Sequence, residues 1–550
     1  MLRKGRSFHL LIGILFLAAL LRFWALGQRE LWYDEAFSVL YAEKGLFFIL
    51  YGTISQVEGA AADVHPPLYY FLLNNWMVLG QSLFTVRMFS AILGIATVAV
   101  SYSLGKQLLG ERSGLMAAFV VAISPFHVYY SQEARMYSLL AFLLLLGTYF
   151  FVRAARTLNT RYWIGFAVCF ALAQYTHNVA VFWLVSLDAY FVLLYFRRVD
   201  VLERILDILG RHRANPNAVG ATRASPVHAW LGGTIPSNGA LTRLALANVG
   251  VVLMYAPWLI VLPGQVSKMQ QAYWIPVPGP AELIRLVIAV TLNLPAPPVL
   301  LPLWTFFAFL LLALVIRFTV SRFRREESVR DSLALIFVLV AFPVAVAFLV
   351  SQVRPVFIER VFVASAIGYY MLVGWAVSRA SLSLRTAALA VPVLALVGFS
   401  LHYQYTYDQF PRPPYRSAVH YLRANYVGDS VIIHGSKLSF FPSYYWDRSL
   451  PQHFLPDTPG SPQDTLAEPT MQVLNLFPSE LEYLAEGRER VYFVVFRKAL
   501  DEALSLGKPL PDLAWLEERF ETESITSFND LYVYALHRRG GGGIASQRAR

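Results

Sequence analysis

Long apolar runs separated by short polar turns occupy most of the chain up to residue 401. The first run covers residues 8–26, close to the ~20 apolar residues that a helix needs to cross a bilayer. Counting such runs predicts about eleven membrane spans. Residues 283–294 are apolar but too short for a clear assignment. The pattern indicates an α-helical polytopic membrane protein.

The orientation of these spans follows from the positions of Arg and Lys. Arg3, Lys4 and Arg6 precede the first run, and basic residues recur in short loops at alternate ends of later spans. Such loops remain on the cytoplasmic side. A signal peptide is the alternative for the first run, but no small-residue cleavage site follows it, so we expect an uncleaved helix. The loop after this helix is then extracytoplasmic.

This first outer loop has an unusual composition. Residues 36–51 and 67–79 are aromatic-rich and amphipathic, and both segments are too polar or too short to cross a membrane. They predict two helices that lie in the membrane interface.

The character of the chain changes at residue 402, where charged and turn residues increase and apolar runs shorten to strand length. Residues 429–434, 490–496 and 531–536 predict strands, and helical patterns lie between them. We therefore expect a membrane domain over residues 1–401, a small extracytoplasmic α/β domain over 402–538 and a disordered tail over 539–550. Within the membrane domain, residues 200–243 predict a basic, partly disordered cytoplasmic loop.

Composition agrees with a membrane protein. Of 550 residues, 57% are hydrophobic and 15% charged, whereas soluble domains carry about 25% charged residues. The net charge of +11 is spread over membrane loops, so it does not indicate nucleic acid. Cys169 is the single cysteine, which excludes an internal disulfide framework.

The strongest candidate chemistry is the pair Asp34 and Glu35, directly after the first span and Trp32-Tyr33. Carboxylates beside hydrocarbon are costly and are functional candidates in membrane proteins. The structural alternative is that Asp34 caps a helix while Glu35 is solvated. We expect the apolar wall and the charge of Glu35 to raise the proton affinity of Asp34, as suits a general base.

Other polar side chains fall on the same outer side. They are candidates for donor or acceptor binding in one aqueous cavity: Asp63, His65, Glu133, Arg135, Tyr137, His177, Asn178, Arg354 and Arg360.

Each of these residues also has a structural interpretation. His65, beside two prolines, suits an interfacial turn, and His177-Asn178 suits a satisfied loop pair. Arg135 and Arg360 suit side chains that extend to the membrane surface. Their position outside, against the positive-inside bias, favours anion binding. The spacing forms no metal motif; a divalent metal remains possible, with no ligand set assigned.

The chain resembles the GT-C class of polytopic glycosyltransferases, and within it the bacterial relatives of protein O-mannosyltransferases and aminoarabinose transferases. The resemblance covers about residues 8–400 and rests on the first span followed by three motifs: Trp-Tyr-Asp-Glu-Ala at 32–36, His-Pro-Pro-Leu-Tyr-Tyr at 65–70 and Ser-Gln-Glu-Ala-Arg-Met-Tyr at 131–137. It implies a polyprenyl-phosphate-sugar donor, inversion at the anomeric carbon and an active site at the outer face of the plasma membrane. Asp34 matches the family's catalytic acid. The segment 354–360 lacks the Arg-Tyr then Leu-Pro pattern of many relatives.

The implied chemistry agrees with the residues. A lipid phosphate is already a good leaving group, so the reaction needs a base for the acceptor hydroxyl and cations for the phosphate. Asp34 suits the first role, and Arg135 or Arg360 the second. The acceptor stays open between lipid, glycan and protein.

Two other functional classes compete with this interpretation. A transporter usually shows broken spans in paired halves and acids at mid-membrane, whereas here the acids lie at span ends. A membrane sensor with an external domain would not require the Asp-Glu and His-Pro-Pro segments.

Overall fold

The structure is a computed structural model, and it describes residues 2–57, 60–198, 238–271, 275–381, 383–458, 461 and 464–539. Most of the predicted cytoplasmic loop, at 199–237, and the tail from residue 540 lie outside the described residues. The next helix begins at Asn238, inside the predicted loop, which extends to residue 243.

The membrane part is a helical bundle. Its helices are Leu2–Phe23, Leu83–Leu109, Glu111–Ile123, Pro125–Ser131, Tyr137–Thr157, Thr160–Thr176, Ala180–Arg198, Asn238–Leu259, Leu262–Gln271, Pro280–Leu292, Leu301–Arg325, Glu327–Val350, Val363–Arg379 and Leu384–Thr406, with short 3-10 turns at Pro298–Leu300 and Glu359–Phe362.

Seven helices of the described chain are long and apolar enough to cross a membrane. An eighth is formed if Glu111–Ile123 and Pro125–Ser131, bent by 63°, count together. The bend occurs where Ser124 caps the helix that begins at Pro125. The chain is thus a multi-pass membrane protein, and the count of eleven spans stays a prediction.

The first outer loop contains three helices, Tyr33–Ala42, Leu46–Ile54 and Leu68–Trp76, followed by a 3-10 turn at Met77–Leu79. The single helix expected over residues 36–51 is wrong. Gly45 separates two helices there. Its φ of +90° is a backbone conformation that residues with an L side chain rarely adopt. A short antiparallel pair, β1 (Gln56–Val57) and β2 (Ala60–Ala61), precedes the His-Pro-Pro segment.

The C-terminal part is an α/β domain built on a five-stranded sheet. Its strands are β3 (Ser430–His434), β4 (Gln452–Phe454), β5 (Arg490–Phe496), β6 (Phe520–Phe528) and β7 (Leu531–Arg538), and its helices are Tyr415–Asn425, Lys437–Trp446, Glu468–Leu474, Leu481–Ala485, Arg497–Ser505 and Pro511–Arg519. The strand order is β4-β3-β5-β7-β6. Strand β3 is parallel to both of its neighbours, β4 and β5. Strand β7 is antiparallel to both of its neighbours, β5 and β6.

The three predicted strands correspond to β3, β5 and β7, the buried centre of the sheet. The prediction missed β4, which has three residues, and β6, whose exposed side chains are mostly polar. The preceding membrane helix ends at Thr406, so the predicted boundary at 402 falls within it.

The C-terminal domain packs directly on the first outer loop. The rings of Tyr33 and Phe441 lie 5.3 Å apart, and Trp446 Nε1 donates to Glu30 Oε2 at 2.8 Å. Thr470 Oγ1 donates to the carbonyl of Gly52 at 3.2 Å. The domain therefore supports the loop that carries Asp34.

Candidate active site

Asp34 is the second residue of the helix Tyr33–Ala42. Trp32 holds the N-cap position, and no side chain makes a capping hydrogen bond there. The interpretation of Asp34 as a helix cap is therefore wrong. Its Oδ2 lies 3.2 Å from Nη1 of Arg360 and 3.9 Å from Nη2 of Arg135.

The two arginines reach Asp34 from different elements. Arg135 lies between two helices of the bundle and donates from Nη1 to Ser38 Oγ at 2.9 Å. Arg360 belongs to the 3-10 turn Glu359–Phe362, and its guanidinium lies over the rings of Trp32 and Tyr137. Both side chains are largely buried, at 4% and 13% exposure. The idea that they extend to the membrane surface is therefore wrong.

Asp63 and the two histidines form the adjoining wall. Asp63 Oδ1 accepts from the amide of His65 at 2.9 Å, and His65 Nε2 lies 3.4 Å from Nη2 of Arg135. The His65 and His177 rings are 5.2 Å apart. Burial and the charge of Arg135 hold the pKa of His65 well below its ordinary value, and the same two causes lower that of His177 to about 3. Both imidazoles are neutral near pH 7.

Two cavities meet at His65. The larger, of about 460 Å³, has mainly apolar walls and includes Tyr137, His177, Asn178, Arg354 and Arg360. The smaller, of about 110 Å³, is lined by Asp34, Asp63, Arg135, Lys268 and, from the C-terminal domain, Thr465, Leu466 and Thr470. Val64 and His65 line both cavities. Arg360 lines the larger cavity and Asp34 the smaller one, so their ion pair lies at the junction of the two.

The side chain of Asn178 is engaged by protein groups. Its Nδ2 donates to Gln265 Oε1 at 3.0 Å, and its Oδ1 accepts from the hydroxyl of Tyr255 at 3.0 Å. This geometry agrees with the loop-pair interpretation for Asn178, although its side chain also lines the larger cavity.

Glu35 and Glu133 lie outside both cavities, in a buried ion network. Arg87 donates from Nε to Glu35 Oε1 at 2.8 Å, and Arg412 contacts both carboxylates. Burial opposes ionisation, but Arg87 and Arg412 hold the pKa of Glu35 below its usual range. These two guanidinium groups balance the negative charge of Glu35, and the expected effect of that charge on Asp34 stays a prediction.

Within the described chain, no three His, Cys, Asp or Glu side chains are placed to hold a metal ion together. The carboxylate of Asp34 faces guanidinium groups instead. No metal ligand set is therefore assigned.

A family model described as dolichyl-phosphate-mannose-protein mannosyltransferase matches residues 64–210. The match contains the His-Pro-Pro segment and the segment with Arg135, and it covers less than half of the chain. Among curated proteins, no sequence matches.

Solved structures resemble the chain over nearly its whole length. ArnT from Cupriavidus metallidurans in the apo state has a TM-score of 0.57 at 12% identity, covering 97% of this chain and 98% of ArnT. Its complex with undecaprenyl phosphate gives 0.55 at 12% identity, covering 95% and 97%. The oligosaccharyltransferase AglB from Archaeoglobus fulgidus, with an inhibitory peptide and a dolichol-phosphate, gives 0.51 at 12% identity, covering 97% of this chain and 74% of AglB.

The chain has a GT-C fold. The resemblance indicated by the three motifs at 32–36, 65–70 and 131–137 is confirmed at the level of the fold.

Three charged residues around this candidate site were not predicted from the sequence. Arg87 could have been recognised from the sequence, because it lies inside an apolar run and an arginine within a predicted span is a functional candidate. Lys268 lies near the end of the helix Leu262–Gln271, and Arg412 lies between prolines after the last membrane helix. Neither position shows a motif.

Proposed function

We propose that this protein is a membrane glycosyltransferase that moves a sugar from a polyprenyl-phosphate donor to an acceptor hydroxyl, with inversion, at the outer face of the plasma membrane. The observation that carries the proposal is the position of Asp34 at the junction of two cavities, facing Arg360 and Arg135. A carboxylate and two guanidinium groups are the base and the phosphate cations that such a transfer needs.

The larger cavity suits the donor. Its volume of about 460 Å³ and its apolar walls suit a lipid chain with one polar end. Arg360 lines this cavity, and its planar guanidinium can bind phosphate oxygens in pairs. Undecaprenyl phosphate and dolichol-phosphate in the ArnT and AglB complexes support a lipid donor of the same chemical class.

The smaller cavity suits the acceptor hydroxyl. Asp34 and Asp63 supply carboxylate oxygens there, and Lys268 and Thr465 supply donors. The hydroxyl of Thr470 donates to Gly52, so its oxygen is an acceptor. A volume of about 110 Å³ admits only the end of an acceptor, since one water occupies about 30 Å³ in the liquid. The C-terminal domain thereby forms part of the acceptor wall.

The transfer is a single displacement. The acceptor oxygen attacks the anomeric carbon from the side opposite the phosphate, and its proton passes to Asp34. The bond from the anomeric carbon to the phosphate oxygen breaks with its electron pair, so polyprenyl phosphate leaves as an anion. Arg360 and Arg135 stabilise the negative charge that grows on the phosphate. Attack from the opposite side inverts the anomeric configuration.

A reconstituted transfer assay tests the proposal. Purified protein in lipid vesicles receives undecaprenyl phosphate bearing radiolabelled hexoses or pentoses, together with envelope lipid, glycan or protein fractions. We expect labelled product and released polyprenyl phosphate with the wild type, and neither with Asp34→Asn. If the folded wild type gives no transfer above empty vesicles and does not bind the lipid phosphate, the proposal is wrong.

A further inference from the structure

Arg412 lies at the centre of the buried ion network behind Asp34. Its side chain is 1% exposed, and its Nη1 contacts Glu35 Oε2 at 2.5 Å and the carbonyl of Glu30 at 2.7 Å. Its Nη2 donates to Glu133 Oε1 at 2.6 Å. One guanidinium therefore joins the segment before the Tyr33–Ala42 helix to the segment that precedes Arg135.

This network holds the residues adjacent to the proposed site. Glu35 directly follows Asp34, and Glu35 Oε1 accepts from the amide of Ala134 at 2.9 Å, the residue before Arg135. Arg87 Nη2 donates to Glu35 Oε2 at 2.9 Å. The backbone on both sides of the Asp34–Arg135 contact is therefore fixed to the same cluster of charges.

The C-terminal domain delivers Arg412 to this position. The residue lies between the last membrane helix and the helix Tyr415–Asn425, whose first residue is fully buried in the core of the domain. Two residues before Arg412, the amide of Phe410 donates to Asp530 Oδ2 at 2.5 Å, in the turn between β6 and β7. The sheet thus anchors the segment that carries Arg412.

We propose that Arg412 is a positioning residue through which the C-terminal domain sets the geometry of Asp34 and Arg135. The proposal rests on the transferase function proposed above. Without Arg412, Glu133 would lose the cation that contacts its Oε1, and its Oε2 has no partner among the described residues. A buried carboxylate without a cation is strongly unfavourable, so the segment that carries Glu133 and Arg135 would move. A misplacement of about 1 Å in an active site can cost about 10²-fold in rate.

The test compares two arginines that both join the C-terminal domain to the first outer loop. Arg412→Met removes the buried contact. Arg448→Met is the matched control, because Arg448 pairs with Glu43 at 2.9 Å just after the other end of the Asp34 helix and is 40% exposed. In the full-length protein we expect kcat to fall about 10²-fold in Arg412→Met, with donor KM changed less than threefold, and to stay within twofold in Arg448→Met.

A second substitution separates positioning from general loss of structure. Glu133→Gln removes the carboxylate that Arg412→Met leaves unpaired, so the double variant should recover part of kcat. If Arg412→Met does not fold, Arg412→Lys replaces it, since one ammonium keeps the charge but cannot reproduce the planar, forked contact with both carboxylates. It should show the same kcat-specific loss.

Amide hydrogen exchange provides a measurement that does not depend on transfer. We expect faster exchange in residues 33–42 and 132–136 of Arg412→Met, and wild-type exchange there in Arg448→Met. A folded Arg412 variant with wild-type kcat and exchange would overturn the positioning role, and so would equal losses in both arginine variants. A wild type without transfer would instead refute the proposed function, while the exchange comparison would still decide whether Arg412 orders the site.

Discussion

Asp34 Oδ2 and Arg360 Nη1 lie 3.2 Å apart, although the two residues come from distant parts of the chain. The pair lies where the larger cavity meets the smaller one. A lipid phosphate entering the larger cavity would compete with Asp34 for Arg360. We therefore expect donor binding to release the Asp34 carboxylate toward the acceptor.

The first prediction concerns the proposed base. Asp34→Asn keeps the shape of the side chain and removes its basicity, so turnover should fall about 10²–10⁴-fold, the usual contribution of a general base. Donor affinity should not fall, because the proposed phosphate contacts are arginines. Transfer rate and lipid-phosphate affinity are measured on purified protein, with Glu43→Gln, just after the same helix, as the control. Near-normal turnover in Asp34→Asn would remove Asp34 from the chemistry.

The second prediction concerns the phosphate site. Arg360→Gln should weaken binding of the polyprenyl-phosphate donor by about 1.5–3 kcal/mol, the range for hydrogen bonds to charged groups. Arg135→Ala should have a similar effect. Arg379→Gln is the control, because Arg379 lies at the opposite end of the helix that follows Arg360 and pairs with Glu326. Equal affinities in all three variants would place the phosphate elsewhere.

The third prediction concerns Glu35 and stability. Glu35→Gln leaves Arg87 and Arg412 without their shared carboxylate, so the free energy of unfolding near pH 7 should fall by about 3–5 kcal/mol. The arginines depress the pKa of Glu35 in the folded state below its ordinary value of 4.5. The stability it contributes is therefore present above pH 4.5 and is lost as the pH falls toward the folded pKa.

Thermal melting in detergent between about pH 3.5 and about pH 7 tests this pH dependence. The difference in melting temperature between wild type and Glu35→Gln should become smaller below the ordinary carboxyl pKa. Glu523→Gln is the control, since its partner Arg490 lies in a solvent-exposed pair and such pairs contribute about 0–1 kcal/mol. A gap that widens in acid would contradict the assignment.

The fourth prediction concerns sidedness. Gln81, near the end of the first outer loop, and Ser505, in the C-terminal domain, are exposed. Thr160 is exposed at the start of the helix Thr160–Thr176, at an end that the charge pattern predicts to be cytoplasmic. In a Cys169→Ser background, a membrane-impermeant thiol reagent should label Gln81→Cys and Ser505→Cys in intact cells. Thr160→Cys should react only after permeabilisation. Labelling of one outer position without the other would refute the common outer side.

The sequence pattern was enough to predict the class of fold, and it singled out Asp34 as the candidate base. Apolar runs of membrane length predict spanning helices because lipid cannot satisfy backbone polar groups. The apolar pattern of residues 490–496 likewise predicted a buried strand, now β5. The motifs at 32–36, 65–70 and 131–137 together resemble the GT-C class, and the position of Asp34 at a span end made it the candidate base.

Tertiary structure alone decided which charges meet. Asp34 and Glu35 are neighbours in sequence, yet helix geometry turns Asp34 toward Arg360 and Glu35 toward Arg87 and Arg412. Local spacing could not reveal this division, because the partners come from a membrane helix, an outer turn and the C-terminal domain. The strength of an ionic contact depends on distance and burial, and both arise only when these distant segments pack together.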